Sequence, residues 1–416
     1  MFGSAVAMQA LISATNLVIG LVLIRRTAAE DYGLFVLVTA ASLLLCTLQG
    51  AFIQPPMVIR MARSSVEESA DIVGGLLQSL RRILLWGSAG ITAAILFCAS
   101  WGLLKPHTTS VLVAAVFAIA SAMYREFFRT VLLGKRRSQD VLKGDVYYVA
   151  TILVGVPMAT LTPYPATVAI LALGVGALVG AAALSRRLWR CDPWNPLASM
   201  KVMREMAPLG TWSALGSATH WAFSQGFNYL VAGILNVGAV AALASTRLLM
   251  MPINLISTGI GSLMMATASG WLVKHGVSTL FRRLLAIACV MAATALCYFI
   301  AVWLARDLIF TWVLKKHFPQ SDALVIAWSA VFFVTVFRDQ LNFVPGACGL
   351  HRPLMGITAI AAIVALISGY LALRQYGVVG APVGILLGEI INVCGILYLS
   401  WLEIKKGRTA PPPAKA

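Results

Sequence analysis

Arg125, Arg129, Arg247 and Arg338 are the residues of this 416-residue sequence best suited to do chemistry, because each stands inside a long apolar stretch. A guanidinium stays protonated and presents a fork of N–H donors matched to phosphate or carboxylate. An ionised side chain in hydrocarbon costs about 2.5–3.5 kcal/mol on insertion scales, so such a residue signals a partner or a cavity. Arg125 and Arg129 are four apart and share a helix face, with Ser121 one turn earlier. Arg247 lines up with Asn254, and Arg338 precedes Asp339 directly, with Asn342 one turn on. Set against Glu126, Asp339 and Glu389, these arginines leave the interior slightly cationic, which predicts a cavity suited to an anion. Structural pairing is the competing reading: Arg125 or Arg129 with Glu126, and Arg338 with Asp339. Arg247 has no acid in its own stretch, so substrate contact is the favoured reading there.

The acids offer a second chemistry. A carboxylate in a low-dielectric cavity can take up a proton or sodium ion and release it as access alternates, which makes Asp339, Glu389 and Glu126 candidates for ion coupling. Asn16, His220, Asn228, Asn254 and Asn342 would give such a cavity a polar lining, although a lone histidine among helices is often hydrogen-bonded filler. Arg25 and Arg26 end the first apolar stretch. They could reach a cavity from the outer side or serve as snorkelling anchors. Seven cysteines lie scattered without a CxxC pair or a Cys/His cluster, so no metal, cofactor or disulfide is expected.

Membrane helices must position these groups. The composition is 60% hydrophobic and only 11% charged, where a soluble domain carries about 25% charged residues. A helix needs about 20 apolar residues to cross the hydrocarbon, and the sequence supplies twelve such spans: 4–24, 34–59, 82–104, 109–133, 144–162, 165–185, 208–234, 237–263, 280–304, 321–345, 354–373 and 378–402. They are too long for barrel strands and do not alternate, so an all-α membrane protein is predicted. The net charge of +17 is mainly a topology signal. Most Lys and Arg residues fall in loops that share one side with the C-terminal tail, which places both termini in the cytoplasm and gives nucleic acid no role.

The spans divide into two halves. Residues 1–185 form a first six-helix lobe, 186–206 a cytoplasmic linker (RRLWRCDPWNP within it), 207–403 a second lobe and 404–416 a disordered tail. Span four reads MYREFFRTVLLGKRR and span ten VFRDQLNFVPGACGLHR, each an Arg–acid pair followed by glycine and basic residues. Gln9, Ser13, Asn16 and Gly20 in span one match Ser217, His220, Ser224 and Asn228 in span seven at helical spacing. Six spans per half makes this a parallel repeat about a pseudo-two-fold axis along the membrane normal, an arrangement that puts a transport site between the lobes near mid-depth. The sequence has no phosphate loop for ATP hydrolysis, and its outer loops are short. A membrane glycosyltransferase or polymerase is therefore disfavoured, and no enzymatic activity is expected.

The stretch LVIGLVLIRRTAAEDYGLFVLVTAASLLLCTLQGAF (Leu17–Phe52) resembles the start of bacterial polysaccharide flippases: a first helix, a short loop ending in Tyr32, Gly33, Leu34 and Phe35, and a second helix closing on Gly50. AVAALASTRLLMMP (Ala239–Pro252) is similar to the family's Ala-rich opening followed by Arg-Leu, and YGVVGAPVGILLGE (Tyr376–Glu389) to its final Tyr-Gly-x-x-Gly-Ala pattern. These motifs fit the multidrug/oligosaccharidyl-lipid/polysaccharide exporter superfamily better than any one member, and the resemblance in layout spans the whole chain. Asn228 departs from the pattern, standing where an acid is often found. The resemblance implies two six-helix bundles in a V, opening alternately to each side of the inner membrane. It implies ion-gradient-driven flipping of an undecaprenyl-diphosphate-linked oligosaccharide for O-antigen, capsule or exopolysaccharide, by a monomer that works beside polysaccharide polymerase and glycosyltransferases. Arg247 best matches the family's anion-receiving arginines, with Arg125, Arg129 and Arg338 as further matches. The alternative is a multidrug or cation extruder of the same superfamily.

Overall fold

Hydrocarbon leaves every backbone amide in need of an internal partner, and this chain answers with helices throughout. In a computed structural model that describes residues 2–61 and 63–406, no strand occurs among the described residues. Most of the expected tail 404–416 therefore lies outside the described residues. The first helices are α1 (Phe2–Arg26), α2 (Ala29–Met61), α3 (Val66–Ser100), α4 (Pro106–Gly134), α5 (Ser138–Ala159) and α6 (Pro165–Cys191). After them come α7 (Lys201–Ile234), α8 (Val237–Leu248), α9 (Met251–Leu304), the short α10 (Arg306–Leu308), α11 (Ser321–Leu341), α12 (Phe343–Ala347), α13 (His351–Tyr376) and α14 (Gly380–Lys405). Each of the twelve expected spans falls on a helix or a helix pair: α8 with the start of α9 makes span eight, the rest of α9 span nine, and α11 with α12 span ten. The chain is an all-α membrane protein. It forms two compact units, Met1–Ala218 and Thr219–Ala416, with the boundary inside α7.

In the first unit, α6 packs against both α4 and α5. Its glycines make this possible. A β-carbon at Gly174 would come within 2.6 Å of the Phe117 ring on α4, and one at Gly176 within 2.6 Å of Ile152 on α5. Small residues let membrane helices approach closely where lipid gives no hydrophobic drive to associate.

The helix α3 begins much earlier than expected. The sequence predicts no helix over residues 60–81, but Ser65 and Glu68 form a reciprocal cap. The Glu68 amide donates to Ser65 Oγ at 3.2 Å, and the Ser65 amide to the Glu68 carboxylate at 3.0 Å. At 1.5 Å per residue its 35 residues span about 52 Å, beyond the ~30 Å hydrocarbon core. The surplus is buried by protein. Ile72, Leu76 and Leu80 join an apolar cluster with Phe128 of α4 and Leu184 of α6. The connector 192–200 lies across this segment. The Asn195 amide donates to Ala70 O at 3.2 Å, Asn195 Nδ2 donates to Asp71 Oδ1 at 2.7 Å, and Gln78 Nε2 donates to Pro196 O. Gly74 and Gly75 face the carbonyls of Asn195 and Ser199 so closely that a β-carbon would overlap them. Gly74→Leu is therefore expected to lift the connector and lower the midpoint of thermal unfolding in detergent by several degrees, since overpacking costs about 1–3 kcal/mol. An unchanged melting curve would show that the notch does not hold the connector.

In the second unit, α13 and α14 pair antiparallel. Gly380 meets Ala372, Gly384 meets Gly369, Gly388 meets Ala361 and Gly395 meets Ile357. Two breaks shape the rest. The chain bends by 57° between α8 and α9. There Pro252 lacks the N–H that would bond the Leu248 carbonyl, and Tyr298 Oη donates instead to the next carbonyl, Leu249 O, at 2.7 Å. The second break is at Gly276 in α9, with φ 74° and ψ 174°, a left-handed φ with an extended ψ that a side chain would strain. It separates the expected spans eight and nine with no longer loop.

Candidate functional site

The buried charge of the first unit is paired. Asp145, fully buried near the start of α5, accepts from Arg125 Nη2 and from Arg129 Nε, each at 3.3 Å. Arg129 Nη1 also donates to Glu126 at 3.4 Å. The Arg125 guanidinium lies 3.7 Å from the centre of the Tyr148 ring, and its Nε is sealed without a partner. The sequence count of buried acids left out Asp145. With it, two guanidiniums meet two carboxylates, and the expected cationic surplus disappears from this unit. A signal was available: Asp145 stands just inside span five, and α4 is adjacent in sequence.

The second unit holds another cluster. Arg338 Nη1 donates to both oxygens of Glu389, at 2.6 and 2.7 Å, joining α11 to α14. Its Nε and Nη2 donate to Asp339 Oδ1 at 3.2 and 2.7 Å, while Ser257 Oγ of α9 donates to Asp339 Oδ2 at 3.4 Å. One guanidinium serves two carboxylates, so the cluster carries a formal charge of −1. Arg338, expected to receive an anion, is thus occupied. His220 of α7 is exposed.

Arg247 differs from all three. It sits in the last turn of α8, just before the 57° break. Among the described residues no carboxylate pairs with it. Its Nη1 donates to Gln225 Oε1 on α7 at 3.3 Å, and the same oxygen accepts from Asn228 Nδ2 at 3.0 Å. The guanidinium lies 5.3 Å from the ring centre of Phe227 and 5.5 Å from that of Trp328. These are attractive contacts that leave the charge intact. Trp328, 1% exposed, is fixed by its own bond from Nε1 to Leu243 O at 3.2 Å. Arg247 itself is half-buried, and the bond to Gln225 is the one side-chain hydrogen bond described for its guanidinium.

The other expected residues are more dispersed. Asn16, Arg25 and Arg26 of α1 are exposed. Asn342, between α11 and α12, is exposed, and Asn254 is half-buried in α9. Neither asparagine joins the two clusters by a described side-chain hydrogen bond. Gln225, Tyr148 and the aromatic pair around Arg247 were missed in the sequence. Only Gln225 carried a signal, standing one turn before Asn228 on the same helical face.

No protein-family model matches the sequence, and no curated protein matches it. Solved structures do. An inward-facing multidrug resistance MATE family transporter of the MOP superfamily aligns with a TM-score of 0.73 at 16% identity, over 96% of this chain and 95% of that one. The lipid II flippase MurJ, in its inward closed conformation, aligns with a TM-score of 0.77 at 11% identity, over 94% of this chain and 86% of that one. A eukaryotic MATE transporter aligns with a TM-score of 0.65 at 13% identity, over 98% and 96%. The chain has the fold of MATE transporters and of the lipid II flippase MurJ.

Proposed function

We propose that this chain is a transporter of the bacterial inner membrane, with both termini cytoplasmic. In this reading it flips an undecaprenyl-diphosphate-linked oligosaccharide to the periplasmic leaflet for surface polysaccharide synthesis. The observation that carries the reading is Arg247: a guanidinium inside a span, at a broken helix, paired with no carboxylate among the described residues. Uncompensated charge at membrane depth is costly and marks a substrate path. The fold shared with the flippase MurJ supports a lipid-borne cargo. The Arg338–Asp339–Glu389 cluster, with one negative charge to spare, supplies a place for a coupling proton or sodium ion.

The same cluster, together with the likeness to multidrug MATE transporters, favours a second reading as a cation extruder. Deletion of the gene followed by lipid extraction separates the two. A flippase leaves a lipid-linked repeat unit on the cytoplasmic leaflet and bare cells. An extruder leaves polysaccharide intact and raises sensitivity to cationic drugs.

A further inference from the structure

We propose that Gln225 is a positioning residue that orients Arg247 and keeps its charge available, a neutral acceptor seated where a carboxylate would cancel the guanidinium. This inference rests on the anion-cargo reading of the Arg247 site.

The geometry is specific. Arginine has only donors, so the Gln225 atom 3.3 Å from Nη1 must be the oxygen. That oxygen also accepts from Asn228 Nδ2 at 3.0 Å, and Asn228 is 2% exposed. Both lone pairs are therefore used, and the amide is held in one orientation by a buried neighbour on its own helix. Phe227 and Trp328 flank the guanidinium without neutralising it. The contrast within the chain is consistent. Arg125, Arg129 and Arg338 each take a carboxylate, while Arg247 alone of the four takes an amide. A structural arginine gains most from a charged partner. A receiving arginine must be held without being neutralised, and a glutamine does that.

Glutamate has nearly the shape of glutamine, so Gln225→Glu isolates the charge. It places a carboxylate at the guanidinium in a low-dielectric site, where an internal ion pair competes directly with an incoming diphosphate. A merely structural Gln225 would tolerate that change or gain stability from it. The test uses the purified full chain in detergent, with undecaprenyl diphosphate as the probe and the ligand-induced rise in melting temperature as the readout. Wild type is expected to shift, and Arg247→Ala to lose the shift. Gln225→Glu is expected to melt no lower than wild type without ligand, yet to bind about 100-fold more weakly. Gln225→Met, which removes the seat but adds no charge, should weaken binding about tenfold. Wild-type binding by Gln225→Glu, with the shift lost in Arg247→Ala, would overturn the role of Gln225 and leave the anion reading standing. Should Gln225→Glu fail to fold, wild-type binding by Gln225→Met overturns it equally. No shift in wild type, or a full shift in Arg247→Ala, would remove the anion reading and this inference with it.

Discussion

Arg247→Ala is expected to cut export of the lipid-linked sugar by on the order of 100-fold or more while leaving the protein folded and abundant. The two halves of that expectation have separate causes. Truncating one side of a desolvated charge pair costs about 2–5 kcal/mol, and each 1.4 kcal/mol is a factor of about ten. On the anion-cargo reading the charge pair is the one made with cargo, because the described residues offer Arg247 the Gln225 amide and two aromatic rings. Removal thus strands no buried carboxylate, and the helices keep their packing. Pulse-labelled repeat units should accumulate on their lipid carrier in cells that depend on the variant, at a normal level of the protein in the membrane. Normal surface polysaccharide would take Arg247 out of the mechanism.

The opposite pattern is expected at Asp145. Asp145→Ala leaves Arg129 with Glu126 and Arg125 with no carboxylate among the described residues, and removing one partner of a buried ion cluster costs about 3–5 kcal/mol. The protein should lose abundance and melt well below wild type. Any drop in export should follow the amount of folded protein. Because a buried pair replaced by apolar groups is often neutral, Asp145→Leu combined with Arg125→Met should recover much of the loss, and Arg129 still has Glu126. A stable Asp145→Ala protein with failed export would instead place this cluster on the substrate path.

Spans were legible because membrane helices are written in length and hydropathy. Gly174 and Gly176, like Gly380 and Gly384, could also be read as close-packing positions from spacing alone. Pairing was not legible. Arg125 and Asp145 are twenty residues apart on different helices, and only the packing of α4, α5 and α6 decides that they meet. Arg338 reached Asp339 as its neighbour in sequence implied, but Glu389, read as an ion site of its own, turned out to be bound to the same arginine. For Arg247 the sequence carried the right contrast, no acid in its own span. It could not show the glutamine that takes the acid's place. The early start of α3 escaped because its first turns are covered by the connector rather than by lipid, so their composition resembles a polar loop.

The corner at Gly276 has a mechanical consequence. A long loop between two spans would absorb the tilt of one before it reached the other. Here a single residue stands between two hydrogen-bonded arms, so only one pair of soft torsions is free to take up rotation. The arms behave as a crank. A change of tilt beside Arg247, at the bent start of α9, would be delivered to the far arm as torque. The Tyr298 tether from that arm back to Leu249 closes the linkage into a loop.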